Sequence, residues 1–152
     1  MELKVVSFDL GHEQFAVDIM KIDSVVETGK IVKIPESAEY VEGVMNLRGT
    51  LIPVINLRKK FKMEDFPEKD KCKIIVTNLE AGKVGFLVDN VKEVLTISQD
   101  DIEETPRGVG GIGGRYILGM AKLGDNILII LNIDEILTAE EKIEIEKIME
   151  KT

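Results

Sequence analysis

An internal repeat constrains this chain more than any other feature. One constant offset lays Gly11 on Gly82, Phe15 on Phe86, Val17 on Val88 and Asp18 on Asp89. A second, slightly larger offset lays Gly43 on Gly119, Leu47 on Leu123, Leu51 on Ile127, Asn56 on Asn132 and Leu57 on Ile133. Two blocks that recur in the same order, with nearly equal offsets, point to a duplication with one loop insertion. The period is too long for a solenoid. It leaves two small β units of roughly 65 residues each, with a shared core expected because neither is large.

Apolar runs separated by turn residues supply the strands. Residues 3–10 form a first strand, Gly11-His12-Glu13 a turn, and Gln14–Asp18 a second strand. Residues 19–26 contain a short helical turn and another strand, and residues 31–34 a short strand stopped by Pro35. Residues 63–71 are highly charged, contain Pro67 and read as a linker, after which the strand pattern restarts at Cys72. About five short strands per unit favour small barrels over an open sheet, because closure removes aggregation-prone edges. The expected sub-barrels are 11–66 and 67–137, with strand 3–10 able to join either. Residues 138–152 form a C-terminal helix, opened by the capping-box pattern Thr138-Ala139-Glu140-Glu141. The class is mostly β with one helix.

The stretch 43–61 reads as a hairpin, two apolar runs hinged on Arg48-Gly49-Thr50. Pro53 has no N–H to donate, which places its strand at an edge or a bulge. Arg48 is the only charge between Glu42 and Arg58. Its guanidinium offers a rigid fork to a carboxylate or carbonyl, and alone it reads as a turn residue satisfied within its own unit. The second copy changes that reading, because it carries Gly124-Asp125 where the first has Arg48-Gly49. An arginine required by the fold would recur in both copies, so Arg48 becomes a contact residue.

Catalytic chemistry finds little support. One His and one Cys exclude a His/Cys metal cluster, and His12 sits in a polar turn. No Ser lies in a nucleophile elbow. Residues 108–113 match G-x-G-x-x-G, yet no strand precedes them and no helix follows, so 106–114 reads as a mobile loop and not a dinucleotide site. The acidic run at Asp100-Asp101 and Glu103-Glu104 lacks the spacing of a calcium loop. No metal or cofactor is expected. A net charge of −8 argues against nucleic acid and anionic membrane surfaces. The single cysteine, a strand-like N-terminus and the lack of any long apolar run suit a cytoplasmic protein that does not insert into membranes. What remains is interaction surface. Residues 19–26 and 90–97 each follow a Val-Asp pair and carry apolar residues at irregular spacing, Ile22, Val25 and Val26 in one and Val91, Val94 and Leu95 in the other. Such segments could form a groove for a partner helix.

The hairpin also carries a family resemblance. Gly43-x-x-Asn46-Leu47-Arg48-Gly49-x-x-x-Pro53-Val54-x-x-Leu57 resembles the signature of the CheW family of bacterial chemotaxis coupling proteins. Phe86-x-Val88-Asp89-x-Val91-x-x-Val94, and Gly124-Asp125 followed by residues 127–132, are similar to that family too. The similarity runs from about Leu3 to Leu137. Asn56 departs from it, since members often have Asp there. The resemblance implies two intertwined five-stranded SH3-like barrels and a non-enzymatic adaptor. Such an adaptor joins methyl-accepting chemoreceptors to the regulatory domain of the histidine kinase CheA within membrane-associated arrays. Carried over residue by residue, it places a receptor contact at Arg48, with Asn46 and Gly49 shaping its turn, and others at Val91 and Val94; Ile22, from the apolar segment 19–26, joins that receptor face by inference. For the kinase face, inference alone points to Ile31, Val32, Ile34 and Val44. A detached CheA regulatory domain, a coupling protein with a receiver domain and a small ligand-binding barrel stay open as alternatives.

Overall fold

The computed structural model describes residues 1–80, 82–104 and 115–150; the G-x-G-x-x-G segment expected as a loop lies outside them. Gly11, with φ 64°, lets the chain reverse between β1 (Glu2–Leu10) and β2 (Glu13–Asp18), which pair antiparallel. A 3-10 turn at Ile19–Lys21 leads into β3 (Ile22–Glu27). The central hairpin is β4 (Val41–Leu47) and β5 (Thr50–Asn56), followed by the single-turn helix α1 (Leu57–Lys60). The pattern then repeats as β6 (Lys73–Leu79), β7 (Gly82–Val88), β8 (Asn90–Ser98) and the two-residue β9 (Ile102–Glu103). It closes with β10 (Ile117–Leu123), β11 (Asn126–Leu131) and helix α2 (Ala139–Glu150).

These elements form two compact units, each drawn from two separate stretches of chain. Residues 1–21 and 90–136 make the first, and residues 22–89 with 137–152 the second. The first holds a sheet in the order β8-β1-β2-β11-β10-β9, and the second a sheet in the order β3-β6-β7-β5-β4. Each sheet is two antiparallel hairpins joined through a parallel pair, β2 with β11 in one and β7 with β5 in the other. An outer strand then flanks the first hairpin, β8 on β1 and β3 on β6. The first core gathers Val5, Ala16, Ile97, Ala121, Leu128 and Ile130. In the second unit the buried side chains include Ile52, Ile55, Ile74, Ile75, Phe86 and Leu87.

The duplication holds at the level of single hydrogen bonds. The Asn56 N–H donates to the Tyr40 carbonyl at 2.7 Å, and at the equivalent place in the second copy the Asn132 N–H donates to the Tyr116 carbonyl at 2.7 Å. Register shifts fall at equivalent places, between Val41 and Gly43 and between Ile117 and Gly119. The two glycines have one shared cause. A Cβ on Gly43 would strike the Val32 carbonyl and the Ile31 side chain, and one on Gly119 would meet Ile102 at 2.6 Å and the Glu103 carbonyl at 2.8 Å. Both glycines admit a crossing backbone that a side chain would block.

Four expectations need correction. The hydrogen-bonded order runs from β8 to β9 and from β3 to β4 without returning, so the ladders are open rather than closed. Residues 31–34 make one bridge, Val32 to Val44, in place of a strand. Pro53 lies on β5, an interior strand and not an edge. It is tolerated because Val44, its partner across the hairpin, directs both its N–H and its C=O to Val32 at 2.9 Å, so β4 needs no donor from Pro53. The parallel ladder with β7 begins only at Val54.

The fourth correction concerns residues 63–71, which are no linker. Phe66 is buried, and the Arg58 guanidinium lies 4.8 Å over its ring. Arg58 also forks onto Asp89, with Nη2 to Oδ1 at 2.6 Å and Nε to Oδ2 at 3.1 Å. Asp89 is the last residue before the chain leaves the second unit. In the first unit, Asp134 occupies the position that the duplication makes equivalent to Arg58. It pairs at 2.9 Å with Lys21, the last residue before the chain leaves that unit. Each exit is held by an ion pair, with the charges reversed. Beside Arg58, the buried Asn56 caps α1 by accepting the Lys59 N–H at 3.0 Å. Its amide donates to Glu42 at 3.1 Å and Asp65 at 2.9 Å, while Lys69 bridges the same two carboxylates. An aspartate at 56 would put a third carboxylate there, so the amide suits this chain. In α2 the expected capping box forms, Thr138 Oγ1 accepting from Glu141 N–H and Glu141 accepting from Thr138 N–H.

Burial alone would raise the Asp65 carboxyl, but the Asn56 amide, the Lys69 ammonium and the Phe66 N–H outweigh it and hold it at about 2. This lies below the unfolded value of about 3.9, so its stabilisation is full above that pH and is lost as pH falls towards 2. The denaturant midpoint of the wild type should therefore drop more steeply between about pH 4 and 2 than that of Asp65→Asn. Parallel profiles for the two proteins would contradict this.

Candidate functional site

The hairpin turn is built against backbone preference. Arg48 and Gly49 occupy its two central positions with φ 53° and φ 87°, the double left-handed pattern of a I′ turn. Glycine and asparagine adopt that conformation readily, whereas another L-residue at the left-handed position costs roughly 1–2 kcal/mol. The equivalent turn, Gly124-Asp125, has glycine at its one left-handed position, Gly124 with φ 60°, and avoids the strain. Asn46 supports the strained copy by accepting the Gly49 N–H on Oδ1 at 2.8 Å. Among the described residues, the exposed Arg48 side chain has no hydrogen-bond or ion-pair partner. The fold holds the Arg48 backbone in an unfavourable conformation, and its guanidinium has no partner among the described residues.

A shallow apolar cleft of about 340 Å3 adjoins the turn in the same unit, lined by Gly29, Lys30, Val32, Ile34, Val44, Met45, Asn46 and Leu51. Val44 is 3% exposed and floors it, while Val32 at 54% and Leu51 at 43% stand outward. Of the residues expected at the kinase face, Val32, Ile34 and Val44 line this cleft, whereas Ile31 packs over Gly43. Asn46 borders both cleft and turn, which makes the two one continuous surface. Lys30, Met45 and Leu51 were not anticipated. Leu51 sits in an uninterrupted apolar run, where alternation cannot identify the outward residue.

The other expected receptor contacts lie elsewhere. Ile22 is half-buried at the start of β3, the sheet edge opposite β4. Val91 and Val94 belong to β8 of the first unit, with Val94 56% exposed. They pair with Phe8 and Val6, two residues apart on β1, so Lys92 and Glu93 together face Ser7. Residues three apart on a regular strand point to opposite faces. This β-bulge, an extra residue in β8, turns Val91 and Val94 to the same face and explains the irregular apolar spacing.

Burial pushes the Cys72 thiol up to about 11, and its Sγ lies 3.5 Å from the Glu68 carbonyl. Among the described residues no group of three or more His, Cys, Asp or Glu side chains could hold a metal ion. No described helix is long and apolar enough to cross a membrane. Removing the Asn46 amide tests the turn directly. Asn46→Ala should cost about 0.5–1.5 kcal/mol in denaturant unfolding through the orphaned Gly49 N–H. An unchanged midpoint would show that solvent replaces that bond without loss.

Comparison with known proteins agrees with this architecture. Residues 4–141 match the family model described as the CheW-like domain. The chain is 38% identical to the chemotaxis protein CheW of Thermotoga maritima, over 90% of this chain and 88% of that protein. It is 33% identical to CheW of Treponema pallidum, over 92% and 85%. The crystal structure of the scaffolding protein TtCheW from Thermoanaerobacter tengcongensis superposes with a TM-score of 0.83 at 35% identity, covering 93% of this chain and 91% of that one. The chain belongs to the CheW family of chemotaxis adaptor proteins.

Proposed function

We propose that this protein links the cytoplasmic tips of methyl-accepting chemoreceptors to the regulatory domain of the histidine kinase CheA, and places the kinase under receptor control within membrane-associated arrays. The observation that carries this reading is the Arg48 turn, where a strained, exposed arginine has no partner among the described residues and its duplicate is a glycine. A guanidinium fork in a fixed turn recognises a carboxylate or carbonyl at a defined register. In this role Asn46 and Gly49 hold the fork, while Ile22, Val91 and Val94 supply apolar contact with the receptor's helical hairpin. The cleft walled by Val32, Ile34 and Leu51, floored by Val44, with Ile31 packed behind it, receives the kinase domain. Outward apolar residues ringed by Lys30 and Asn46 suit a compact contact that excludes water at its centre.

Coupling needs unequal affinity for the receptor's signalling states, because a contact equally good in both shifts nothing. The apolar surfaces provide affinity and Arg48 discriminates. Co-sedimentation with receptor-containing membranes and CheA tests the assignment. The wild type should bring the kinase into the pellet, and Arg48→Asp should lose receptor-dependent control of kinase activity while keeping its circular dichroism spectrum. Full control by the folded Arg48→Asp protein would overturn this role for Arg48. Binding of a small metabolite in a thermal-shift screen, with no binding of receptor or kinase, would favour a ligand-binding barrel instead.

A further inference from the structure

We propose that Ser7 is a positioning residue for the receptor-contacting strand, an inference that rests on the reading of Val91 and Val94 as receptor contacts. Ser7 is 3% exposed, a polar residue inside the otherwise apolar run of β1. It sits opposite the two-residue bulge of β8, where the regular ladder is interrupted between the pairs Val6–Val94 and Phe8–Val91. A bulge leaves its extra residue without full ladder partners. Here the Ser7 hydroxyl supplies both. It accepts the Glu93 N–H at 3.3 Å and donates to the Glu93 carbonyl at 3.2 Å. One hydroxyl, acting as donor and acceptor, closes the gap that the extra residue opens.

The consequence reaches the surface. Period-two alternation would send Val91 and Val94 to opposite faces, and a slip that removed the bulge would turn one of them away. With the bulge held, both share the face of Val6 and Phe8, and Val94 stands outward at the sheet edge. Ser7 touches no partner itself. It acts through β8, by fixing which valines are presented together.

The test measures affinity for a receptor cytoplasmic-tip helical hairpin fragment, affinity for the CheA regulatory domain, and amide exchange along β8. Ser7→Ala should weaken receptor binding about tenfold, because removing the hydroxyl leaves the Glu93 N–H and C=O without their part-buried partner and lets the bulge open. Exchange at Lys92 and Glu93 should accelerate, and kinase binding through the cleft of the other unit should hold. Ser7→Cys, of similar volume but a weak hydrogen-bonding group, should behave like Ser7→Ala, and Ser7→Thr, which restores the hydroxyl, should recover binding. Val94→Ser serves as the separate check on the underlying reading and should weaken receptor binding alone. Unchanged receptor affinity in Ser7→Ala and Ser7→Cys, beside a loss in Val94→Ser, would overturn the role of Ser7. Unchanged affinity in Val94→Ser would refute β8 as a receptor contact, and the role of Ser7 with it.

Discussion

The architecture depends on two outer strands that pair away from their neighbours in sequence. β3 follows β2 after one 3-10 turn yet bonds to β6, and β8 follows β7 directly yet bonds to β1. Backbone donors and acceptors at a sheet edge need partners. Each unit obtains them from the strand that opens its segment, β3 or β8, whose preceding strand in the chain belongs to the other unit. The exits are then secured locally, by Arg58 forked on Asp89 in one unit and Lys21 on Asp134 in the other. The Arg58 pair is the more enclosed, with side chains 15% and 23% exposed, and the ring of Phe66 backs its guanidinium. A part-buried, bidentate pair of this kind is costly to break from one side, since the remaining charge loses two charge-assisted hydrogen bonds.

Much of this was legible because the physics is local. The two offsets of the repeat report real equivalences, down to the Tyr-to-Asn backbone bonds and the two glycines beneath crossing chains. The Thr138–Glu141 capping box and the Arg48-Gly49 turn follow from short-range hydrogen bonding that the residue pattern encodes. What sequence could not reveal depends on partners distant in the chain. Pro53 is tolerated in an interior strand because Val44 directs its backbone groups to Val32 on one side and the ladder with β7 begins only at Val54 on the other. Residues 63–71 are charged like a linker but packed through one aromatic, Phe66, whose value lies in Arg58 above it. The bulge at Lys92 and Glu93 is met by a hydroxyl on another strand, Ser7.

The candidate site shows the same division. The motif named Asn46, Arg48 and Gly49, and they form one turn. Alternation in a continuous apolar run could not single out Leu51, and a single-residue bridge at Val32 reads as a strand until its partner is known. Among the described residues Glu36, Arg48 and Lys62 are the non-glycines with a left-handed φ, and of these Arg48 is the one whose duplicate is a glycine, Gly124. Natural folds tolerate such conflicts chiefly at functional positions. The central claim is that this chain gives up stability at Arg48 in return for a contact.

One measurement addresses that claim most directly, the paired determination of unfolding free energy and receptor-dependent kinase control in Arg48→Asn. Asparagine before Gly49 creates the preferred I′ pair, so the variant should be more stable than the wild type by roughly 0.5–1 kcal/mol. It should nevertheless lose coupling, since the guanidinium is gone. A variant that is less stable, or one that is stabilised yet fully coupled, would contradict the account.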